Sequence, residues 1–89
     1  MLKIDLSKRA LKFLSKLPPK QARQLATKIL ELRTNPEPPD SSKLKGYDNY
    51  RRADFGEYRI VYFVQEDVLM IYLVGKRNDD EIYKQLKRL

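Results

Sequence analysis

The sequence predicts an α+β fold: a small, mostly antiparallel four-stranded sheet with an N-terminal helical hairpin packed on one face and a C-terminal helix, in the order β-α-α-β-β-β-α. Two observations predict it. The stretch from Tyr58 to Arg77 reads Tyr-Arg-Ile-Val-Tyr-Phe-Val, a charged turn, Val-Leu-Met-Ile-Tyr-Leu-Val and then Gly-Lys-Arg. It holds most of the β-branched and aromatic residues, which is the signature of two paired strands. The front of the chain instead repeats apolar residues at helical spacing on either side of Pro18-Pro19. With 89 residues the expectation is one domain, 1–89, able to bury only roughly 60–65% of the surface of its unfolded chain.

Leu2, Ile4 and Leu6 alternate with Lys3 and Asp5 and read as a short first strand. Ser7 caps a helix that runs to about Lys16, with Ala10, Phe13, Leu14 and Leu17 on one face. Leu6 before the cap and Leu11 at the fourth helical position fit a hydrophobic staple. Pro18 and Pro19 end this helix and start the next, because proline is tolerated in a first helical turn. The second helix turns Ala22, Leu25, Ala26, Ile29 and Leu32 or Arg33 inward and Lys20, Arg23, Gln24, Thr27 and Lys28 outward. Asn35 and Pro36 stop it. The following Pro36–Ser42 connection is too proline-rich for a helix or a central strand. Lys43-Leu44-Lys45-Gly46 and a turn at Tyr47-Asp48-Asn49 lead to a strand at Tyr50–Phe55. Gly56-Glu57 and Gln65-Glu66-Asp67 then connect a three-stranded meander. Asn78, three residues before Glu81, makes a capping box for a last helix carrying Ile82, Tyr83, Leu86 and Leu89.

Composition removes several chemistries. Cysteine and histidine are both absent, which excludes disulfides, thiol catalysis, zinc-cysteine sites and the commonest general acid and base. The start lacks an apolar signal-peptide core and no apolar run has membrane-spanning length, so the expectation is a soluble, cytoplasmic protein without a membrane partner. A formal charge of +7 points to a polyanion or an acidic protein. Residues 1–35 carry nine positive and two negative charges, whereas residues 36–89 carry ten of each. A basic site in the sheet half therefore depends on local arrangement.

The groups left for chemistry are arginine, lysine, tyrosine and a few carboxylates. They suit cleavage of RNA by attack of a 2′-hydroxyl on its neighbouring phosphate, where guanidinium groups hold the phosphate and stabilise the extra charge of the transition state. A tyrosine, or a lysine of lowered pKa, moves the protons. Arg59 shares a face with Val61 and Phe63, opposite Tyr58, Ile60 and Tyr62. It either meets a phosphate on an open face or pairs with Asp54 or Glu57 across the turn. Arg77, beside Lys76, lies at the mouth of the last helix, and Tyr83 follows six residues later. Each has an ordinary alternative, a solvated charge near Asp79 and Asp80 for Arg77 and the apolar stripe for Tyr83. Of the adjacent Arg51 and Arg52, only one can share Arg59's face. Lys43 and Lys45 precede them as candidate RNA-binding residues. Asp79, Asp80 and Glu81 fit helix capping better than a magnesium site, so neither metal nor cofactor is expected.

Taken in order, Arg9-Ala10-Leu11-Lys12, Lys43-Leu44-Lys45-Gly46, Tyr50-Arg51, Tyr58-Arg59-Ile60-Val61-Tyr62 and Gly75-Lys76-Arg77 with Glu81-Ile82-Tyr83 resemble the RelE/ParE toxin superfamily of type II toxin–antitoxin systems. The likeness is greatest to the RelE-like mRNA interferases. The resemblance implies a metal-independent endoribonuclease that enters the ribosomal A site and cuts mRNA, with a cognate antitoxin as resting partner. It also implies catalytic roles for Arg51, Arg59, Arg77 and Tyr83, with Lys43, Lys45, Arg52 and Lys76 binding RNA. The best-known relatives carry two lysines spaced by two before the Tyr-Arg strand. Here Arg51 and Ala53 stand there, with Arg52 and Asp54 as nearby polar groups, and the identity of the general base is open. The alternative within the superfamily is a ParE-like toxin that inhibits DNA gyrase without nuclease activity. Outside it stands a binding module whose basic helices only hold nucleic acid.

Overall fold

The computed structural model describes residues 1–77 and Lys84. Of the expected last helix only Lys84, helical and exposed, is among the described residues; Tyr83 lies outside them. The described elements are β1 (Lys3–Leu6), α1 (Lys8–Ser15), α2 (Pro19–Thr34), β2 (Ser41–Lys43), β3 (Tyr50–Phe55), β4 (Tyr58–Gln65) and β5 (Val68–Lys76). The strands form one five-stranded sheet in the order β1-β5-β4-β3-β2. Every pairing is antiparallel except β1 with β5. The strand beyond the four expected is β2, a polar edge strand whose Ser41-Ser42-Lys43 pairs with Ala53, Arg52 and Arg51. Nothing in its residues alternates between apolar and polar, so only the ladder to β3 marks it as a strand.

Ser7 caps α1 as expected, its side chain accepting from the Ala10 amide, while its hydroxyl donates to the Tyr72 carbonyl on β5. The start of α1 is thereby tied to the sheet. Ala10, Phe13, Leu14 and Leu17 all pack toward the sheet, joined by Leu25, Ile29 and Leu32 of α2. Their counterparts on the sheet are Tyr58, Ile60 and Tyr62 of β4 and Leu69, Ile71 and Val74 of β5. Burying each such side chain contributes about 1.5–3 kcal/mol, and truncating the fully buried Ile60 to Ala costs about 2–5 kcal/mol.

Three details of the helical hairpin differ from expectation. Leu11, expected in a staple with Leu6, is 56% exposed. Ala26 is exposed and Leu32, rather than the half-buried Arg33, completes the inward stripe. Lys28, expected outside, is only 7% exposed. Its ammonium forms a hydrogen-bonded ion pair with Asp40 and lies 3.8 Å from Glu31. A buried ammonium requires such partners, and the Pro36–Asp40 connection supplies the principal one. The same connection is held by the Tyr62 hydroxyl, which donates to the Pro36 carbonyl at 2.6 Å.

The meander β3-β4-β5 is built by two-residue turns. Gly56 supplies φ of +60° in the first, and Glu66 takes φ of +57° in the second. Between Val61 and Tyr62 the β4–β5 register shifts: Val61 pairs with Leu73 and Tyr62 with Ile71, leaving Tyr72 as the extra residue of a bulge. The bulge resets alternation, so Tyr72 and Leu73 both lie with the cluster on the sheet face away from the helices.

Candidate functional site

Alternation along β4 sends Tyr58, Ile60 and Tyr62 under the helices and Arg59, Val61 and Phe63 to the other face. Arg59 therefore stands on the sheet face opposite α1 and α2, which no element among the described residues covers. It is also paired there. Asp54 lies directly opposite on β3, and its carboxylate accepts from Arg59 Nε at 2.7 Å and from Nη2 at 3.2 Å. Of the two readings of Arg59 that the sequence left open, the structure contains the pairing with Asp54, made on the sheet face opposite α1 and α2.

The β3–β4 register decides between the adjacent arginines. Arg52 pairs with Val61 and shares its face with Asp54 and Arg59, whereas Arg51 pairs with Tyr62 and points to the helix side. Arg51 there donates from Nη2 to Ser41 Oγ at 2.9 Å and lies 3.5 Å from Glu37. The structure does not bring Arg51, expected among the catalytic residues, together with Arg59. It brings Arg52 instead, whose Nε donates to Ser42 Oγ at 3.0 Å. Arg77 extends the ladder beyond β5: its amide donates to the Glu57 carbonyl and its Nη1 to the Gly56 carbonyl at 3.3 Å.

These cations act together on one carboxylate. The hydrogen bonds from Arg59 hold Asp54 below its ordinary value of 3.8, against the opposing effect of burial, and the charges of Arg59, Arg77 and Arg52 reinforce the shift. Asp54 is therefore ionised at neutral pH and a weak base. Its carboxylate holds the Arg59 fork in one orientation through two charge-assisted hydrogen bonds. Gly75 lies opposite Arg59 on β5.

Beside the arginines lies an aromatic shelf. Tyr50 packs 5.0 Å from Phe63, 5.5 Å from Tyr72 and 6.3 Å from Tyr47, with Phe63 and Tyr72 6.2 Å apart. Leu44, Val61 and Leu73 floor it. Half-buried rings beside guanidinium groups form the kind of surface on which unpaired bases stack. Burial, reinforced by the neighbouring Tyr50 and opposed by Arg9, pushes the Tyr72 hydroxyl above 10.0. Sequence reasoning singled out neither Asp54 as a site member nor this shelf. The signal for Asp54 was present, since a two-residue turn at Gly56-Glu57 puts it opposite Arg59. For Tyr72 the bulge concealed it.

The other expected residues are dispersed. Lys43 is exposed at the end of β2 opposite Arg51, Lys45 is exposed in the loop that follows, and Lys76 is exposed opposite Tyr58. Tyr83 lies outside the described residues, as do Asp79, Asp80 and Glu81. Among the described residues no group of three or more carboxylate, histidine or cysteine side chains is placed to hold a metal ion, and no helix is long and apolar enough to cross a membrane.

Fold and site together define a class of small α+β domain, a mostly antiparallel sheet backed by a helical hairpin with arginines and aromatic rings on its other face. The model of the ParE toxin family of type II toxin–antitoxin systems, parDE, matches residues 4–81. The putative toxin RelE1 of Methanocaldococcus jannaschii is 34% identical over 79 residues, 83% of this chain and 88% of that protein. The isolated E. coli RelE toxin superposes with a TM-score of 0.76 at 28% identity, over 99% of this chain and 97% of that one. RelE of the archaeal RelE–RelB complex from Pyrococcus horikoshii superposes with a TM-score of 0.74 at 28% identity, over 85% and 94%. The chain belongs to the RelE/ParE family of toxins of type II toxin–antitoxin systems.

Proposed function

We propose that this protein is a ribosome-dependent endoribonuclease that cleaves mRNA in the A site through attack of a 2′-hydroxyl on the adjacent phosphate. The observation that carries the reading is the convergence of Arg52, Arg59 and Arg77 on Asp54, on the open sheet face and next to the aromatic shelf. Arg59 binds the scissile phosphate and offsets the charge that develops on it, and Arg77 does so on the leaving side. Arg52 takes the strand position that the resemblance assigned to Arg51. Tyr83 orients the substrate or relays a proton. Asp54, held ionised, serves as the orienting group and not as the base, because an efficient base has its pKa near the working pH. Bases flanking the cut stack on Tyr50 and Phe63. The whole chain, residues 1–89, works as one toxin domain in the cytoplasm, and needs no metal for this chemistry.

A cognate antitoxin is its resting partner, as RelB is in the solved E. coli RelBE and Pyrococcus horikoshii complexes. Induction without the antitoxin should stop incorporation of labelled amino acids within minutes and leave DNA synthesis running. Arrest of growth with mRNA intact sinks the nuclease reading.

A second reading has an observation of its own. The Arg59 fork is already occupied by Asp54, and the matching family model is that of ParE, which suits a toxin that inhibits DNA gyrase and cuts nothing. That reading predicts filamentation and DNA damage, with toxicity unchanged by Arg77→Ala combined with Tyr83→Phe.

A further inference from the structure

Beside the C-terminal end of α2, a cleft of about 500 Å³ opens with Leu2, Pro36, Val64 and Tyr50 among its walls and Arg33, Arg51 and Lys43 as its cations. Arg33 comes from the last turn of α2 and Arg51 from the helix side of β3. The Nε atoms of both arginines are buried, and neither meets an acceptor among the described residues. Buried donors are nearly always paired, so unpaired Nε–H groups on two arginines that line one cleft mark guanidinium groups whose donor capacity the fold leaves unfilled.

The charge balance narrows the ligand. Glu37 is the carboxylate among the lining residues; it is 70% exposed and touches Arg51 only at 3.5 Å. Three cations against one anion leave the cleft with two positive charges, the complement of a phosphate monoester dianion. Two guanidinium forks also suit a phosphoryl group with three free oxygens better than a carboxylate with two. The space exceeds what a bare phosphate fills, and its volume lies in the range of small-molecule pockets. Its apolar walls, Leu2, Pro36 and Val64 among them, give an organic portion somewhere to lie.

We infer that this cleft binds a small organic phosphate of mononucleotide size, its phosphoryl group between Arg33 and Arg51. The site is separate from the Arg59 face and does not depend on the nuclease reading. Tyr50 links the two, since it walls the cleft and packs 5.0 Å from Phe63 on the open face.

The test is a backbone-amide NMR titration of the full chain with adenosine monophosphate, inorganic phosphate and succinate. Adenosine monophosphate should saturate, shifting the amides of Leu2, Thr34 and Val64 most, with succinate binding far more weakly. Arg33→Gln should weaken binding by roughly tenfold or more, the worth of one charged hydrogen bond, while Arg59→Gln leaves it within about twofold. Inorganic phosphate shifting the same amides at higher concentration supports the phosphoryl assignment. Shifts centred on Val61 and Leu73, equal affinity in Arg33→Gln, succinate binding as tightly as the nucleotide, or no saturation at all each overturn it. If Arg33→Gln does not fold, the wild-type shift map decides.

Discussion

Asp54 and Arg59 face each other across the β3–β4 hairpin, and the carboxylate accepts from two nitrogens of the guanidinium. The pair is intermediate in exposure, 33% for Asp54 and 12% for Arg59, so the charges attract more strongly than a surface pair and are less costly to desolvate than a core pair. It serves as a clamp on the one arginine that the proposed chemistry uses most. A phosphate must either join this arrangement or displace Asp54 from it.

Asp54→Asn tests that competition. Removing the carboxylate's charge should lower stability by about 1–2 kcal/mol and raise affinity for a short single-stranded RNA by a few-fold, read by denaturant unfolding and by fluorescence anisotropy. A variant that binds RNA more weakly than the wild type shows that Asp54 assists the phosphate.

Acid should expose the same pair. The folded-state pKa of Asp54 lies below its ordinary 3.8, held there by Arg59 first and by Arg77 and Arg52 after it. Its contribution is then complete above 3.8 and is lost as pH falls through the folded value. The difference in melting temperature between wild type and Asp54→Asn should stay constant from pH 7 to about 5 and shrink as pH drops below about 4.

Tyr72 predicts the opposite limb. Burial raises its hydroxyl above 10.0, so the fold favours the neutral phenol and loses stability as pH rises past that value. Tyr72→Phe should flatten the decline in melting temperature above pH 10. An unchanged slope assigns the alkaline loss to other groups.

Lys28 gives an asymmetric pair of variants. Its ammonium is buried while Asp40 is 48% exposed. Asp40→Asn strands a buried charge whose remaining carboxylate partner among the described residues is Glu31 at 3.8 Å, and should cost about 2–3 kcal/mol. Lys28→Met removes the charge and keeps the stem, leaving Asp40 to water, and should cost less than about 1 kcal/mol. Equal losses in denaturant melts contradict the account.

Much of this arrangement can be read before any coordinates. Alternation puts Arg59 with Val61 and Phe63, and the two-residue turn at Gly56-Glu57 places Asp54 opposite it, so Arg52 and not Arg51 had to share its face. That last step follows from the turn length alone, and a motif comparison that places Arg51 by position obscures it. Other features had no local signal. The β4–β5 bulge resets parity so that Tyr72 and Leu73 share a side, and β2 is a polar triplet defined only by its partner. Burial of Lys28 depends on Asp40, twelve residues along the chain, which the proline-rich connection folds back against α2.

The central claim is that Arg59, clamped on the open face of the sheet, holds the phosphate of an mRNA as it is cut. Mapping mRNA 5′ ends after induction of the wild type and of Arg59→Ala tests it most directly. New ends within codons in translated regions, present with the wild type and absent with Arg59→Ala, are the predicted result. Growth arrest with no new ends, or the same ends from Arg59→Ala, would contradict it.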